Sequence, residues 1–316
     1  MTRTEDMSFT YRESTLAGTL HLPQGSGRSP AIVMVPGSGD SNRDADDFFP
    51  PIRNAFLEQG VAVLSWDKPG VGESNGDWRR QTILQRAEET SKAITWLRQH
   101  PSIDPSRVGF WGQSQGGWIG PMVAANDPDL WLLIIHSGTG VTVEEQDFAG
   151  LEQTMRRAGA SDDEIALGRV YMDTFHDAAK SGMTYEDVRE KIQEPARGKP
   201  WFGYFGDFSE GDWEFFLLNF APETIFDPVV FLNQVTCPTL AIFGEKDVLI
   251  PVQRSIEILE NTVRKTSQDL VIKVFANGTH RLSPAEGPGE FVPGYFEFMR
   301  EWLSTRLRDY RHNQRI

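Results

Sequence analysis

Ser114 stands in Gly112-Gln113-Ser114-Gln115-Gly116-Gly117. A serine hydroxyl set among close glycines can serve as a nucleophile toward a carbonyl, provided that the run joins a strand to a helix. That context is present. The apolar stretch Val108–Trp111 comes before it, and helical spacing runs from about Gln115 to Ala125 after it. A sharp strand-to-helix turn forces the serine into a strained backbone conformation, and Gly112 and Gly116 remove side chains where the two segments would collide. The helix start beneath the serine favours developing negative charge. Such a hydroxyl needs a base, ordinarily histidine. The chain offers His21, His100, His136, His176, His280 and His312. His21 lies in an opening hairpin, His100 ends a helix before Pro101, and His312 is in a polar tail. His136 and His280 alone follow strands at the end of the sheet where Ser114 should emerge. A carboxylate is required behind the base to fix its tautomer and stabilise the imidazolium. Asp247 follows the strand-like Thr239–Phe243 and a Gly-Glu-Lys turn, and Glu245 is its neighbour and rival.

The elements that must hold these residues alternate. Phe9–Arg12 and Leu16–Leu22 suggest the hairpin. Ala31–Val35, Val61–Trp66, Val108–Trp111 and Leu130–Ile135 are buried strands by their continuous apolar character. Helices are expected at Phe48–Gln59, which stops at Gly60, and at Ile83–Gln99, whose apolar face carries Ile83, Ala87, Ile94 and Leu97. Strands joined by helices imply a parallel sheet covered on both faces. From Val141 to Val235 the pattern breaks. Glu144–Ala158, Asp162–Ala179 and Tyr185–Gln193 look helical, and no convincing buried strand occurs. Alternation resumes with Thr239–Phe243, a helix at Val252–Thr262, a strand at Leu270–Phe275 and a last helix near Gly294–Leu307. The expected organisation is therefore an α/β core from residues 1–140 and 236–316, with 141–235 inserted as a helical cap over the strand ends.

The elbow and three further segments together resemble the α/β-hydrolase superfamily, and within it the bacterial esterase-like hydrolases that carry a Gly-Gln-Ser-Gln-Gly-Gly elbow and a helical cap. Pro36-Gly37-Ser38-Gly39, with Arg43-Asp44 after it, is similar to that family's oxyanion loop. Asp67-Lys68-Pro69-Gly70-Val71-Gly72-Glu73-Ser74 is similar to its Asp-x-x-Gly-x-Gly-x-Ser turn, whose glycines are expected to serve tight turning and not substrate binding. Gly244-Glu245-Lys246-Asp247 and Asn277-Gly278-Thr279-His280 are similar to its acid and histidine loops. The resemblance covers nearly the whole chain apart from the insertion. It implies the α/β-hydrolase fold and the chain order serine, acid, histidine, which selects His280 over His136; Asp247 is the matching acid, and Glu245, offset by two residues, should point elsewhere. The oxyanion donors it implies are the backbone N–H of Gln115 and that of Ser38, with Gly39 as the lesser candidate. Many relatives have histidine where Pro36 stands, but backbone donors do not need it. The implied activity is hydrolysis of carboxylic esters through an acyl-enzyme. Thioesters and amides, including aminoacyl substrates held by cap carboxylates, are the nearest alternatives. A binding or receptor protein on the same scaffold is the alternative of another class.

His136 is read as a further pocket wall or as a hydrogen-bonded core histidine. The insertion is dense in aromatics, and Trp201, Phe205, Trp213 and Phe216 are candidate walls of an apolar pocket. The opposing expectation is that they form the cap's own core. The chain has 316 residues and a formal net charge of −14. That charge disfavours nucleic-acid, anionic-membrane and polyanionic partners; the partner expected from the implied activity is a small-molecule ester, with a homodimer left open. No His-x-x-x-His or cysteine pair suggests a metal, and no Gly-x-Gly-x-x-Gly element suggests a nucleotide, so no cofactor is expected. Cys237 is the one cysteine and is read as a buried thiol. A polar N-terminus without a signal-length apolar run leads to the expectation of a cytoplasmic protein.

Overall fold

The computed structural model describes residues 2–25, 27–138, 140–220, 226–284 and 290–313. Its strands are β1 (Arg3–Tyr11), β2 (Ser14–Leu22), β3 (Ser29–Val35), β4 (Ala62–Trp66), β5 (Ile103–Gln113), β6 (Leu133–His136), β7 (Thr239–Gly244) and β8 (Leu270–Phe275). They form one sheet in the order β1-β2-β4-β3-β5-β6-β7-β8. β1 and β2 pair antiparallel, β2 meets β4 antiparallel, and the strands from β4 to β8 are parallel. The helices are α1 (Phe49–Glu58), α2 (Ile83–Gln99), α3 (Gly116–Asn126), α4 (Val143–Arg157), α5 (Asp162–Lys180), α6 (Tyr185–Val188), α7 (Glu194–Ala196), α8 (Glu210–Phe220), α9 (Pro228–Leu232), α10 (Val252–Asn261), α11 (Val263–Thr266) and α12 (Tyr295–Asn313). This is the α/β-hydrolase architecture, with helices on both faces of a mostly parallel sheet.

Period-two alternation along the strands sorts their apolar residues between two cores. Ala31, Val33 and Val35 face the side covered by α2 and α3, with Ile94, Leu97, Ile119 and Val123. Ile32 and Met34 face the side covered by α1 and α12, with Ile52, Phe56, Met299 and Leu303. Each such side chain, removed wholly from water, contributes about 1.5–3 kcal/mol. α2 starts where a capping box fixes it: Gln85 N donates to Thr82 Oγ1 at 3.1 Å and Thr82 N donates to Gln85 Oε1 at 3.1 Å.

Several boundaries differ from the apolar pattern for physical reasons. β5 begins at Ile103 rather than Val108, because Ile103 still registers with Ser29; the residues between them bulge before pairing resumes at Val108 with Ala31. β6 is Leu133–His136 rather than Leu130–Ile135: Leu130 closes a turn onto Asp127 O at 3.1 Å, and its apolar side chain is core filling without ladder bonds. The expected helix Tyr185–Gln193 is α6 followed by a π-helical turn over Arg189–Gln193. Between β6 and β7 the described residues are helical or irregular. There Met155, Tyr171, Phe175, Trp201, Phe202 and Trp213 build a third core of their own. Residues 221–225 of that stretch lie outside the described residues.

Candidate active site

Parallel strands place their C-terminal ends at one rim, and the loops that leave β3, β5, β7 and β8 meet there. β5 ends at Gln113, in register with His136 of β6. Ser114 follows with φ of 55°, the left-handed region that a non-glycine residue enters at a cost. Its N–H donates to His136 O at 3.0 Å, and Gly117 N donates to Ser114 O at 2.7 Å. The serine is therefore fixed between the neighbouring strand and the first turn of α3. Both glycines of the elbow are sterically required. A Cβ on Gly112 would stand 2.5 Å from Gly116 O, and one on Gly116 would stand 2.6 Å from Val35 O.

The loops after β7 and β8 are tied to each other. Glu245 N donates to Phe275 O at 3.0 Å, Lys246 N to Gly278 O at 2.8 Å, and Asn277 N to Glu245 Oε2 at 3.1 Å. The last bond engages the rival carboxylate with the backbone. Asp247 is buried, and its Oδ1 accepts from Leu249 N at 2.9 Å and Ile250 N at 3.2 Å. Its other oxygen, Oδ2, lies 2.8 Å from His280 Nδ1. The two backbone donors aim the carboxylate at the ring, so the imidazole presents an Nδ1 proton to it and leaves Nε2 as an acceptor. No hydrogen bond joins His280 to Ser114 among the described residues; such bonds commonly run long before substrate binds.

His136 sits elsewhere. It is fully buried, with Nδ1 3.0 Å from the Tyr295 hydroxyl and its ring edge-on to Phe48 and Trp111. Burial, and then the nearby His280, push its pKa down to about 3, so it is a neutral ring within the α1–α12 core.

The loop after β3 is held from beneath by groups that sequence reasoning does not select. Lys68 Nζ donates to Gly37 O at 2.5 Å and to Gly39 O at 2.6 Å. Arg86, on α2, donates to Pro36 O at 3.3 Å, to Gly37 O at 3.4 Å and to the side-chain oxygen of Gln115. Glu89, one turn further along α2, accepts from Trp66 Nε1 at 2.7 Å and from the Gln81 amide. All three ionisable groups are buried. Desolvation, and then the Arg86 charge, bring Lys68 down to about 6. Burial lowers Arg86 to about 10 and raises Glu89. A lysine inside a glycine-bearing turn and an arginine on an amphipathic helix have ordinary surface readings, which is why the pattern conceals them. Asp67 of the same turn accepts from Arg43 N at 2.7 Å, Arg43 Nη2 at 2.6 Å and Glu73 N at 3.0 Å.

A cavity of about 210 Å³ opens at Ser114. Its floor is Ser38, Ile83, Ser114, Gln115 and Trp118, and its other wall is Val143, Gln146, Asp147, Phe215 and Phe216 from α4 and α8. His280 lines a separate depression with Val248, Leu249 and Arg281. Of the aromatic candidates, Phe216 reaches the cavity. Trp201 and Trp213 are buried in the third core, and Phe205 packs against it, 4.7 Å between ring centroids from Tyr171. Gly39 is not among the cavity-lining residues, whereas Ser38 is.

No motif in the sequence marks Asp147. Its side chain keeps 35% of its surface open, and the residue lines the cavity. Among the described residues no donor hydrogen-bonds its carboxylate, and His176 Nε2 stands 4.0 Å away. Burial lowers the His176 pKa, so that ring supplies no full charge. Desolvation, and then the Glu144 charge, raise Asp147 to about 7.

Residues 14–189 match the family model of the X-Pro dipeptidyl-peptidase (S15 family). The chain belongs to the S15 family. A stretch of 124 residues is 34% identical to a polyketide transferase of Penicillium sp., covering 39% of this S15 chain and 40% of that protein. A thiohydrolase of Aspergillus aculeatus is 34% identical over 120 residues, 38% of this chain and 36% of that protein. The matched stretch thus spans about two-fifths of the length of these curated relatives. Over the whole fold, an esterase of Pyrococcus furiosus superposes with a TM-score of 0.63 at 14% identity, covering 97% of this chain and 91% of that one. Family and fold together make this S15 protein an α/β hydrolase.

Proposed function

We propose that the protein is a serine hydrolase that cleaves carboxylic esters or thioesters through an acyl-enzyme, with Ser114 as nucleophile, His280 as base and Asp247 as orienting acid. The observation that carries this reading is the pairing of a left-handed Ser114 at the strand-to-helix elbow with a His280 imidazole bonded to Asp247 at 2.8 Å, on loops of one sheet rim. Ser114 Oγ attacks the acyl carbon as His280 Nε2 takes its proton. The carbonyl π pair moves to oxygen and is held by the N–H groups of Ser38 and Gln115. Collapse expels the alkoxide or thiolate, which receives the proton from His280. Water then attacks the acyl-enzyme with His280 again as base, and the acid and free Ser114 are released. Residues 141–235 act as a lid that keeps water from the cavity and limits the acyl group. A fluorophosphonate should label one serine per chain, and turnover of p-nitrophenyl esters should accompany it. Ser114→Ala should abolish the label and lower turnover by about 10⁴-fold or more. Labelling without turnover on any ester, thioester or amide would favour the binding-protein alternative.

Asp147 supports a narrower second reading, that the favoured acyl groups carry a cation. The carboxylate ionises as pH rises through about 7, so attraction for a fixed positive charge should grow over that interval. The test compares esters bearing a trimethylammonium group with their tert-butyl isosteres, because the ratio of kcat/KM cancels the titration of the base. The ratio should rise about three- to fourfold from pH 6 to pH 8, most of the factor that about 1 kcal/mol for a partly exposed ion pair supplies. It should be flat in Asp147→Asn. A flat ratio in the unaltered protein would remove this reading and leave the main one standing.

A further inference from the structure

The cations beneath the β3 loop do more than fill a gap. In a trans peptide unit the carbonyl oxygen and the N–H point to opposite sides, and no described peptide bond is cis. Gly37 O is taken by Lys68 at 2.5 Å and Arg86 at 3.4 Å. The N–H of the same peptide, that of Ser38, therefore faces away from both cations, and Ser38 lies on the cavity side with Ser114. The preceding N–H, that of Gly37, is occupied by Gln113 Oε1 at 3.2 Å. Fixing Pro36 O and Gly39 O as well leaves this peptide little freedom to flip. The same Arg86 Nη1 that meets Gly37 O also donates to the Gln115 side-chain oxygen, while Nη2 donates to Pro36 O. One guanidinium thus touches both the loop that presents the Ser38 N–H and the residue that presents the Gln115 N–H.

We propose that Lys68 and Arg86 are positioning residues of the oxyanion hole, with Arg86 joining its two halves. The proposal rests on the serine-hydrolase reading above. Glu89 completes the device as the buried counter-charge one turn from Arg86. A neutral Lys68 amine still carries two hydrogens, which match the two carbonyls it serves.

The test uses the full chain and reports kcat per active site, counted by end-point fluorophosphonate labelling. Gln115→Leu cuts the bridge while keeping Lys68, Arg86 and Glu89 in place. Lys68→Met removes the loop contact, and Lys68→Gln restores an amide donor with two hydrogens. Arg86→Met is made together with Glu89→Gln, so that no lone carboxylate is left. Removing an oxyanion donor costs about 10²–10³ in kcat, and a loosened one should cost part of that. Gln115→Leu and Lys68→Met should each lower kcat about 10- to 100-fold with KM within about twofold. Affinity for a trifluoromethyl ketone should fall in step with kcat/KM, because that ligand engages the hole as the transition state does. Lys68→Gln should recover most of the loss. A merely structural cluster would lower the melting temperature and the number of active sites, not kcat per site. Should the Arg86 pair fail to fold, Gln115→Leu and the two Lys68 variants decide the matter. Unchanged kcat per site and unchanged ketone affinity in Gln115→Leu and Lys68→Met would overturn the proposal. If Ser114→Ala kept wild-type turnover, the serine reading itself would fall; a dead Ser114→Ala beside fully active clamp variants sinks this proposal alone.

Discussion

At the scale of single residues, the functional argument turns on where bonds are already made. Asp247 arrives with three of its acceptor directions used, two by backbone N–H groups and one by His280. His280→Ala should therefore be about as damaging as Ser114→Ala, and the double variant no worse than either, because the two act as one unit. Asp247→Asn should also lower kcat, since an amide can present its NH₂ to Nδ1 and favour the wrong tautomer. Steady-state kinetics on one ester series checks all four variants; additive losses would show that the two residues do not share a step. The serine, the histidine and the acid stand out in the sequence because each occupies a loop of distinctive composition. Lys68, Arg86 and Asp147 do not. Lys68 and Arg86 take their meaning from burial and Asp147 from facing the cavity, and a charged side chain on a helix or turn has the same local sequence whether it faces water or a cavity. His136 illustrates the converse. It ends β6 at the active rim, yet the strand alternation turns it into the core against Trp111 and Tyr295, the hydrogen-bonded core position that is one of its two expected places.

At the scale of elements, the parallel strands are legible because strands covered on both faces are nearly continuous apolar runs, as β4 is from Ala62 to Trp66 with Ser65 its one polar residue. Boundaries are less so. Backbone pairing decides where a strand ends, and Leu130 and Trp131 are apolar without belonging to the β6 ladder. The cap is legible as helices but not in the direction its aromatics face. α8 shows why. Trp213 is buried, donates Nε1–H to Met183 O at 3.0 Å and meets Phe175 edge-on, while Phe216, three residues on, stacks against Trp213 and also reaches the cavity. A helix that packs on both sides carries no single apolar stripe. The consequence is separable. Trp213→Ala should destabilise the protein by about 3–5 kcal/mol and leave the ester chain-length preference unchanged. Phe215→Ala should cost less stability and shift the preference toward longer acyl groups by enlarging the cavity. Melting curves beside kinetics on acetate, butyrate and octanoate esters separate the two outcomes; a changed preference in Trp213→Ala alone would reverse the assignment of wall and core.

At the scale of the whole molecule, an acidic chain with net charge −14 wraps two cores around one sheet and adds a third within the inserted helices. No helix among the described residues is long and apolar enough to cross a membrane. Cys237 lies just before β7, where the insertion returns to the sheet. It is the one cysteine of the chain, is 8% exposed, and burial pushes its thiol up to about 12. Its carbonyl accepts from the Thr239 and Ser267 hydroxyls at 3.0 Å each, so the segment is anchored on both sides. Only the thiolate reacts with aromatic disulfides such as Ellman's reagent, and here the thiolate forms in quantity only after the segment opens. The molecule thus carries a built-in chemical stopwatch: the colour released per minute counts the openings of this junction without any added label. In native buffer at pH 8 the reaction should run at least about 10³-fold slower than that of a free thiol, and it should accelerate with urea in parallel with the loss of tertiary signal. Rapid reaction in the absence of denaturant would mean that the junction between sheet and insertion breathes far more readily than the hydrogen bonds around Cys237 imply.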